Sequence, residues 1–185
     1  MSGPFSVIAA DCPWAPMDKL PGKSRGAAKN YDVMSTKDLC RIHLPPIAEN
    51  SVLFFWRLAS MQSDALDVIQ AWGFTPKTEL VWVKLTSTSS NRELGTAKLH
   101  FGMGRQVRAS HEVCIIATRG RVAPLNHSTR SVFFAPVGIH SAKPDAFYDI
   151  AESLYAGPRV ELFARRCRPN WTTLGSQLGT VLECA

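Results

Sequence analysis

Residues 5–14 read Phe-Ser-Val-Ile-Ala-Ala-Asp-Cys-Pro-Trp. The apolar run Phe5–Ala10 is too short for a helix and predicts a strand covered on both faces, and Asp11 ends it. The same kind of run recurs at Val52–Trp56, Leu80–Val83, Val113–Thr118 and Val132–Ala135, with Val160–Phe163 as the last strand. Segments of helical period lie between these runs. Ser35 with Asp38 three residues on resembles a capping box. Leu66, Ile69 and Ala71 recur at helical intervals and close at Gly73. Pro144 suits the first turn of a helix running through Phe147, Ile150 and Leu154 and stopping near Gly157. Strand–helix alternation predicts an α/β fold with a mainly parallel sheet. Ligands of such sheets bind beyond the carboxyl ends of strands, and Asp11 and Arg165 both lie just past one.

The length of 185 residues predicts a single domain spanning 1–185. A hydrophobic fraction of 45% excludes a disordered chain. No apolar run approaches the ~18 residues of a membrane span, and no basic segment precedes the first apolar stretch. A soluble, cytoplasmic protein is expected. The five cysteines, Cys12, Cys40, Cys114, Cys167 and Cys184, include no C-x-x-C pair, so free thiols are expected rather than a metal site or a disulfide framework. Lys and Arg exceed Asp and Glu by 21 to 15, a formal charge of +6, which is a weak pointer to a polyanionic partner.

The segments 16–30 and 86–108 lack apolar period and read as long polar loops that would order around substrate. Lys19, Lys23, Arg25 and Lys29 fall in the first, and Arg92, Lys98, Arg105 and Arg108 in the second. Around a strand-end pocket these residues would form a rim for phosphates. The stretch Asp11-Cys12-Pro13-Trp14 suits an amine held against a flat ring. Asp11 offers carboxylate acceptors, the Cys12 carbonyl offers another, and Pro13 biases Cys12 toward an extended backbone. Trp14 offers an aromatic face for a planar base.

D-C-P-W closely resembles the D-P-P-W motif of the MT-A family of adenine methyltransferases, the METTL-type enzymes. Further similar blocks follow in the family's order. They are Tyr31 with Met34-Ser35-Thr36; Leu53-Phe54-Phe55-Trp56; Ala71-Trp72-Gly73-Phe74; and Glu79-Leu80-Val81-Trp82-Val83-Lys84. Gly102-Met103-Gly104, read as a loop hinge, is followed by Arg108-Ala109-Ser110-His111-Glu112, then His140-Ser141-Ala142-Lys143-Pro144. Glu161-Leu162-Phe163-Ala164-Arg165 and then Trp171 with Gly175 close the series.

This resemblance implies a Rossmann-like methyltransferase fold, mainly parallel with helices on both faces, in which the catalytic motif precedes the cofactor residues. It implies S-adenosylmethionine as cofactor and methyl transfer to the exocyclic amine of adenine. Asp11 and the Cys12 carbonyl would accept the amine hydrogens, and Trp14 and Tyr31 would receive an adenine drawn from its stack. Lys143 would meet the methionine carboxylate. Arg165 and Gln177 would bind the ribose, with Ser176 standing where the family has asparagine, and Asp11 would also touch the cofactor's amino group. Glu79 would orient the target base, with Lys29, Arg105 and Arg108 on the nucleic acid. Trp72 and Trp82 read as core, and His111 as structural. A bare catalytic domain resembles the bacterial and phage members, so DNA is the expected substrate. The alternatives are RNA and a catalytically silent, nucleic-acid-binding partner subunit; a homodimer also fits.

Overall fold

The computed structural model describes residues 4–15, 33–86, 98–102, 104, 106–138 and 142–175. In chain order these form β1 (Phe5–Asp11), α1 (Thr36–Cys40), β2 (Ile47–Arg57), α2 (Gln62–Ala71), β3 (Thr75–Leu85) and β4 (His111–Arg119). Then come β5 (Val132–Pro136), α3 (Asp145–Leu154), β6 (Arg159–Leu162) and β7 (Thr172–Leu174). The strands make one sheet in the order β5-β3-β4-β2-β1-β6-β7. β1 pairs in parallel with β2 and β6, β3 with β5, and β6 with β7. Among the described strands only β4 runs against its neighbours, β2 and β3. The result is the expected Rossmann-like α/β sheet.

Strand alternation sends successive side chains to opposite faces. Ile8 and Ala10 of β1, with Leu53 and Phe55 of β2, face a cluster closed by Leu39 of α1 and Ala65, Val68 and Ile69 of α2. Val7 and Ala9, with Val52, Phe54 and Trp56, face a cluster closed by Phe147, Tyr148, Ala151 and Leu154 of α3. Helices therefore cover both faces, and this is why β1 and β2 read as unbroken apolar runs. Trp72 and Trp82 are core, as expected, and each indole N–H donates to a buried carbonyl, that of Leu39 and that of Ala135, at 2.9 Å.

Local signals also hold. The Asp38 amide donates to the Ser35 hydroxyl at 3.2 Å, which caps α1. α2 ends ahead of Gly73, whose φ of +81° favours glycine. Pro144 sits one position earlier than expected, as the N-cap of α3 rather than within its first turn.

Three expectations change. Val160–Phe163 is not the last strand: β7 follows, and its three residues, Thr-Thr-Leu, are too few to display a period. The irregular stretch after β3 is not wholly loose. The His100 amide donates to the Lys84 carbonyl at 2.8 Å, and the Lys84 amide donates to that of Ser110 at 2.8 Å. Segment 16–30 and residues 87–97 lie outside the described residues. Gly102 and Gly104 mark a close backbone packing rather than a hinge. A Cβ at Gly102 would collide with the Ala109 carbonyl oxygen, and one at Gly104 with that of Val107.

The reversed direction of β4 has one result for the site. Its first residues, His111 and Glu112, reach the edge where β1, β2 and β3 end. α3 is held over that edge by Phe147, which is fully buried and meets Trp56 edge-on at 5.0 Å and Phe54 at 5.6 Å. Phe147→Ala should cost about 3–5 kcal/mol in urea denaturation. A loss much below about 1 kcal/mol would mean that α3 does not depend on this anchor.

Candidate active site

β1 delivers Asp11 to the carboxyl edge, on the face covered by α3. Its Oδ1 meets the Lys143 Nζ at 2.9 Å and its Oδ2 meets the Arg165 guanidinium at 3.3 Å. Lys143 comes from the residue before the N-cap of α3, and Arg165 from just past β6. The same Nζ bonds Glu112 Oε2 at 2.9 Å, and Glu112 Oε1 meets Lys84 Nζ at 2.5 Å. The order Lys84–Glu112–Lys143–Asp11–Arg165 alternates cation and carboxylate. The register explains the alignment: Asp11 stands opposite Trp56, Trp56 opposite Cys114, and Glu112 opposite Trp82. Asp11, Glu112 and Lys84 project from one face of the sheet, and Lys143 and Arg165 reach them from beyond it. The ammonium groups of Lys143 and Lys84 lie over the Trp56 and Trp82 rings at 5.0 and 5.1 Å.

Burial opposes the charge on Lys143, which is only 8% exposed, but the Asp11 and Glu112 carboxylates outweigh it and hold the pKa above the usual lysine value. Burial likewise works against a charged Glu112, and Lys143 with Lys84 overcomes it, bringing the carboxyl down to about 2. The Cys12 thiol is pushed well up by burial and then by the Asp11 charge, so it is a neutral packing group rather than a nucleophile.

The D-C-P-W stretch is stapled to the residues before α1. The Met34 amide donates to the Pro13 carbonyl at 2.7 Å, and the Ala15 amide donates to that of Met34 at 3.1 Å. The Cys12 carbonyl accepts the Trp14 amide at 2.9 Å, which leaves one lone pair for a ligand. Trp14 departs from expectation. It is 4% exposed, packs edge-on against Phe55 at 5.8 Å and donates its indole N–H to the Trp56 carbonyl at 3.3 Å. It is built into the core beneath the loop instead of offering an open face.

Two further expected residues already have protein partners. The Lys143 ammonium is taken by two protein carboxylates, Asp11 and Glu112. Glu79 does not join the Asp11 cluster. It lies on the opposite face of β3 from Trp82 and pairs with Arg57 at 3.2 Å. Arg108 places its guanidinium over the Phe101 ring at 4.8 Å. His111 is exposed at the start of β4. Lys29, Tyr31, Arg105, Ser176 and Gln177 lie outside the described residues.

Glu112, Lys84, Trp56 and Glu161 stand within the family-like blocks, yet nothing in the linear sequence marks them as site residues. Only the antiparallel register of β4 brings the first two to Asp11, and no local pattern announces it. Two hollows adjoin the cluster and share Lys143 and Arg166. One is a narrow pocket walled by Asp11, Tyr148, Glu161, Phe163 and Arg165. The other is a cavity of about 350 Å³ between the end of β5 and the start of α3, lined by Phe134, Pro136, Val137 and Pro144. Phe163 has a φ of +61°, a conformation that L residues rarely adopt and one that directs the chain from β6 toward Arg165.

Glu112 titrates lower when folded than its ordinary 4.5. Its pairing therefore stabilises the fold above that pH and is lost as pH falls toward 2. Glu112→Gln should lower stability by about 2 kcal/mol at neutral pH and flatten the decline below pH 4.5. Urea unfolding of both proteins across that range measures it; parallel acid limbs would contradict the assignment.

The MT-A70 family profile matches residues 5–177. The chain is 31% identical to the N(6)-adenosine-methyltransferase MT-A70-like protein of Drosophila melanogaster, over 95% of this chain and 27% of that protein. It is 29% identical to the N(6)-adenosine-methyltransferase catalytic subunit METTL3 of Homo sapiens, over 95% of this chain and 28% of the other. With the N(6)-adenine-specific methyltransferase METTL4 of Homo sapiens it shares 24% identity, over 94% and 37%. It thus spans well under half the length of these relatives. The ordered motifs, the Rossmann-like sheet and a match that covers nearly the whole chain agree: this protein belongs to the MT-A70 family.

Proposed function

We propose that this chain is a catalytic domain that transfers a methyl group from S-adenosylmethionine to the exocyclic amine of an adenine in RNA. The observation that carries this reading is Asp11, fixed at the end of β1 by Lys143 and Arg165, followed by the Cys12 carbonyl and lining the narrow pocket. The relatives named as adenosine methyltransferases act on a ribonucleoside, and they support RNA.

The narrow pocket is itself only about 10 Å³, but the residues at its rim carry the charges that the cofactor's amino-acid group would meet. Carboxylates (Asp11, Glu161) and guanidiniums (Arg165, Arg166) share its walls, and one oxygen of Glu161 is buried without a hydrogen-bond partner. That mixture complements a zwitterionic amino-acid group. Asp11 and Arg165 would hold it, together with Ser176 and Gln177 by family likeness. When bound, S-adenosylmethionine supplies an electrophilic methyl group on a sulfonium.

The amine of adenine is a weak nucleophile because its lone pair is delocalised into the ring. Each Asp11 oxygen retains acceptor capacity after its salt bridge, and the Cys12 carbonyl retains one lone pair. Accepting both amine hydrogens at these two positions draws the nitrogen toward a tetrahedral geometry and frees its lone pair. Asp11 cannot swing away, because cations hold both its oxygens; such fixed positioning is the main source of acceleration in a direct transfer. Lys143 acts through Asp11 and is a positioning residue. Trp14 supports the loop from below. Lys98, Arg108 and Phe101, the last 70% exposed, provide cations and a stacking face for the strand outside the pocket.

Asp11→Asn should retain the fold and reduce methyl transfer by about 10³-fold or more. The assay is labelled-methyl incorporation into matched RNA and DNA oligonucleotides, with the modified base identified. Transfer to RNA above DNA by the wild type, lost in Asp11→Asn, supports the proposal. Preference for DNA would replace the substrate, and normal turnover by the variant would remove Asp11 from the reaction.

A further inference from the structure

We infer that the cavity between the end of β5 and the start of α3 holds the nucleotide next to the target adenine, a reading that rests on the nucleic-acid substrate proposed above. The cavity measures about 350 Å³, within the range of sites that take small organic ligands. Ala135, Pro136, Val137 and Gly138 line it from the end of β5 onward, and Pro144 and Ala146 line it from α3. None of these side chains carries a polar atom, so together they suit the face of a flat ring rather than its hydrogen-bonding edge.

Three charged residues also border the cavity. The Lys143 ammonium is taken by Asp11 and Glu112. Asp145 Oδ1 is shared by Arg166 at 2.6 Å and Arg168 at 2.8 Å. Arg166 therefore has only a share in one carboxylate, and its side chain is 44% exposed. Its Nη2 is used by Asp145 and by the Lys143 carbonyl at 3.1 Å. A guanidinium has donors beyond that one nitrogen, and a phosphate at the rim of the cavity complements them. An apolar slot with a cation at its rim has the make-up of a nucleotide site.

The position of the cavity says which nucleotide. Lys143 borders both hollows, so the cavity begins one side chain away from Asp11. Asp11 and Cys12, which carry the acceptors for the reacting amine, are not part of its lining, and a base seated there is not the base that reacts. In the sheet, β5 lies on one side of β1, and β6 and β7 lie on the other. Arg165 follows β6, and Ser176 and Gln177 follow β7 in sequence, so the residues assigned to the cofactor depart from the opposite side. The cavity's own side carries the groups that suit a nucleic-acid strand. The Val137 amide donates to the Leu85 carbonyl at 3.0 Å, and Leu85 bridges to Leu99, two residues before the exposed Phe101. A strand that meets Phe101 and Arg108 while presenting an adenine to Asp11 has this cavity beside its path.

Gly138 provides a clean test, because a Cβ placed on it meets open space. Gly138→Leu fills the cavity without pushing the backbone. The measurement is the affinity of labelled single-stranded RNA oligonucleotides with one adenine, by fluorescence anisotropy in the presence of S-adenosylhomocysteine. Four versions are compared: intact, abasic 5′ to the adenine, abasic 3′ to it, and abasic at the adenine itself. Gly138→Leu should bind the intact strand about tenfold more weakly, the size of one lost base contact. The two proteins should bind alike when one neighbouring base, and only that one, is missing. Arg166→Gln should make the salt dependence shallower by about one phosphate, while Gly138→Leu keeps the wild-type slope. Equal affinity of wild type and Gly138→Leu for the intact strand would leave the cavity without a nucleotide. A difference that disappears only with the target adenine would make the cavity the reacting-base site, and one that persists on all four strands would make it structural. Weaker binding of S-adenosylhomocysteine alone by Gly138→Leu would assign the cavity to the cofactor, and an unchanged slope in Arg166→Gln would remove the phosphate; each of these results overturns the inference. A wild type that binds none of the four strands would instead refute the nucleic-acid reading itself.

Discussion

The site depends on one buried ammonium. Lys143 is shielded from water by the Trp56 ring and the α3 segment that carries it, and a lone charge in such a place would not survive. Two carboxylates make it tenable, one from the end of β1 and one from the start of β4. Strand direction is therefore an electrostatic requirement. If β4 ran parallel to β2, Glu112 would lie at the far edge of the sheet, and Lys143 would keep only Asp11. The reversed strand, the buried cation and the placement of Asp11 form one connected arrangement.

That arrangement also settles how precisely Asp11 is held. A single salt bridge between flexible side chains leaves much of their freedom and contributes little. Here the carboxylate is gripped from two sides by groups from different elements, and one of these is itself fixed by Glu112 and Lys84. Removing any one member leaves its neighbours partly unpaired in a low-dielectric region, so their contributions will not add. The aromatic layer below, in which Trp56, Phe147 and Trp82 meet edge-on, gives these charges a rigid floor.

Much of the fold was legible because β1, β2 and β4 are buried on both faces, and continuous apolar runs record that directly. β7 was not, since three residues carry no period. Asp11 and Arg165 were legible as residues just past strand ends, a position that depends only on where a run stops. Glu112 and Lys84 were not, because their role arises from a register between strands far apart in the sequence. Trp14 shows the limit from another side. Its place in a motif promised a stacking face, but whether an indole faces solvent or core depends on packing against Phe55 and on the pairing of Met34 with the loop. Glu161 reads as one polar residue in the apolar run Val160–Phe163, and only the atom left without a partner reveals its unusual state.

The cysteine in D-C-P-W carries a consequence of its own. An accessible thiol at a strand end would ordinarily be open to oxidation or alkylation through its thiolate, the species that reacts. Here the sulfur is buried and its ionisation is suppressed by burial and by Asp11. Cys114, on β4, is buried too, and burial raises its pKa against the opposing pull of Lys143. Cys12 and Cys114 are thereby insulated from the redox state of their surroundings. The motif has gained a sulfur without gaining a redox sensor, and thiol-directed reagents would meet a closed surface at the point where the sequence suggests a target.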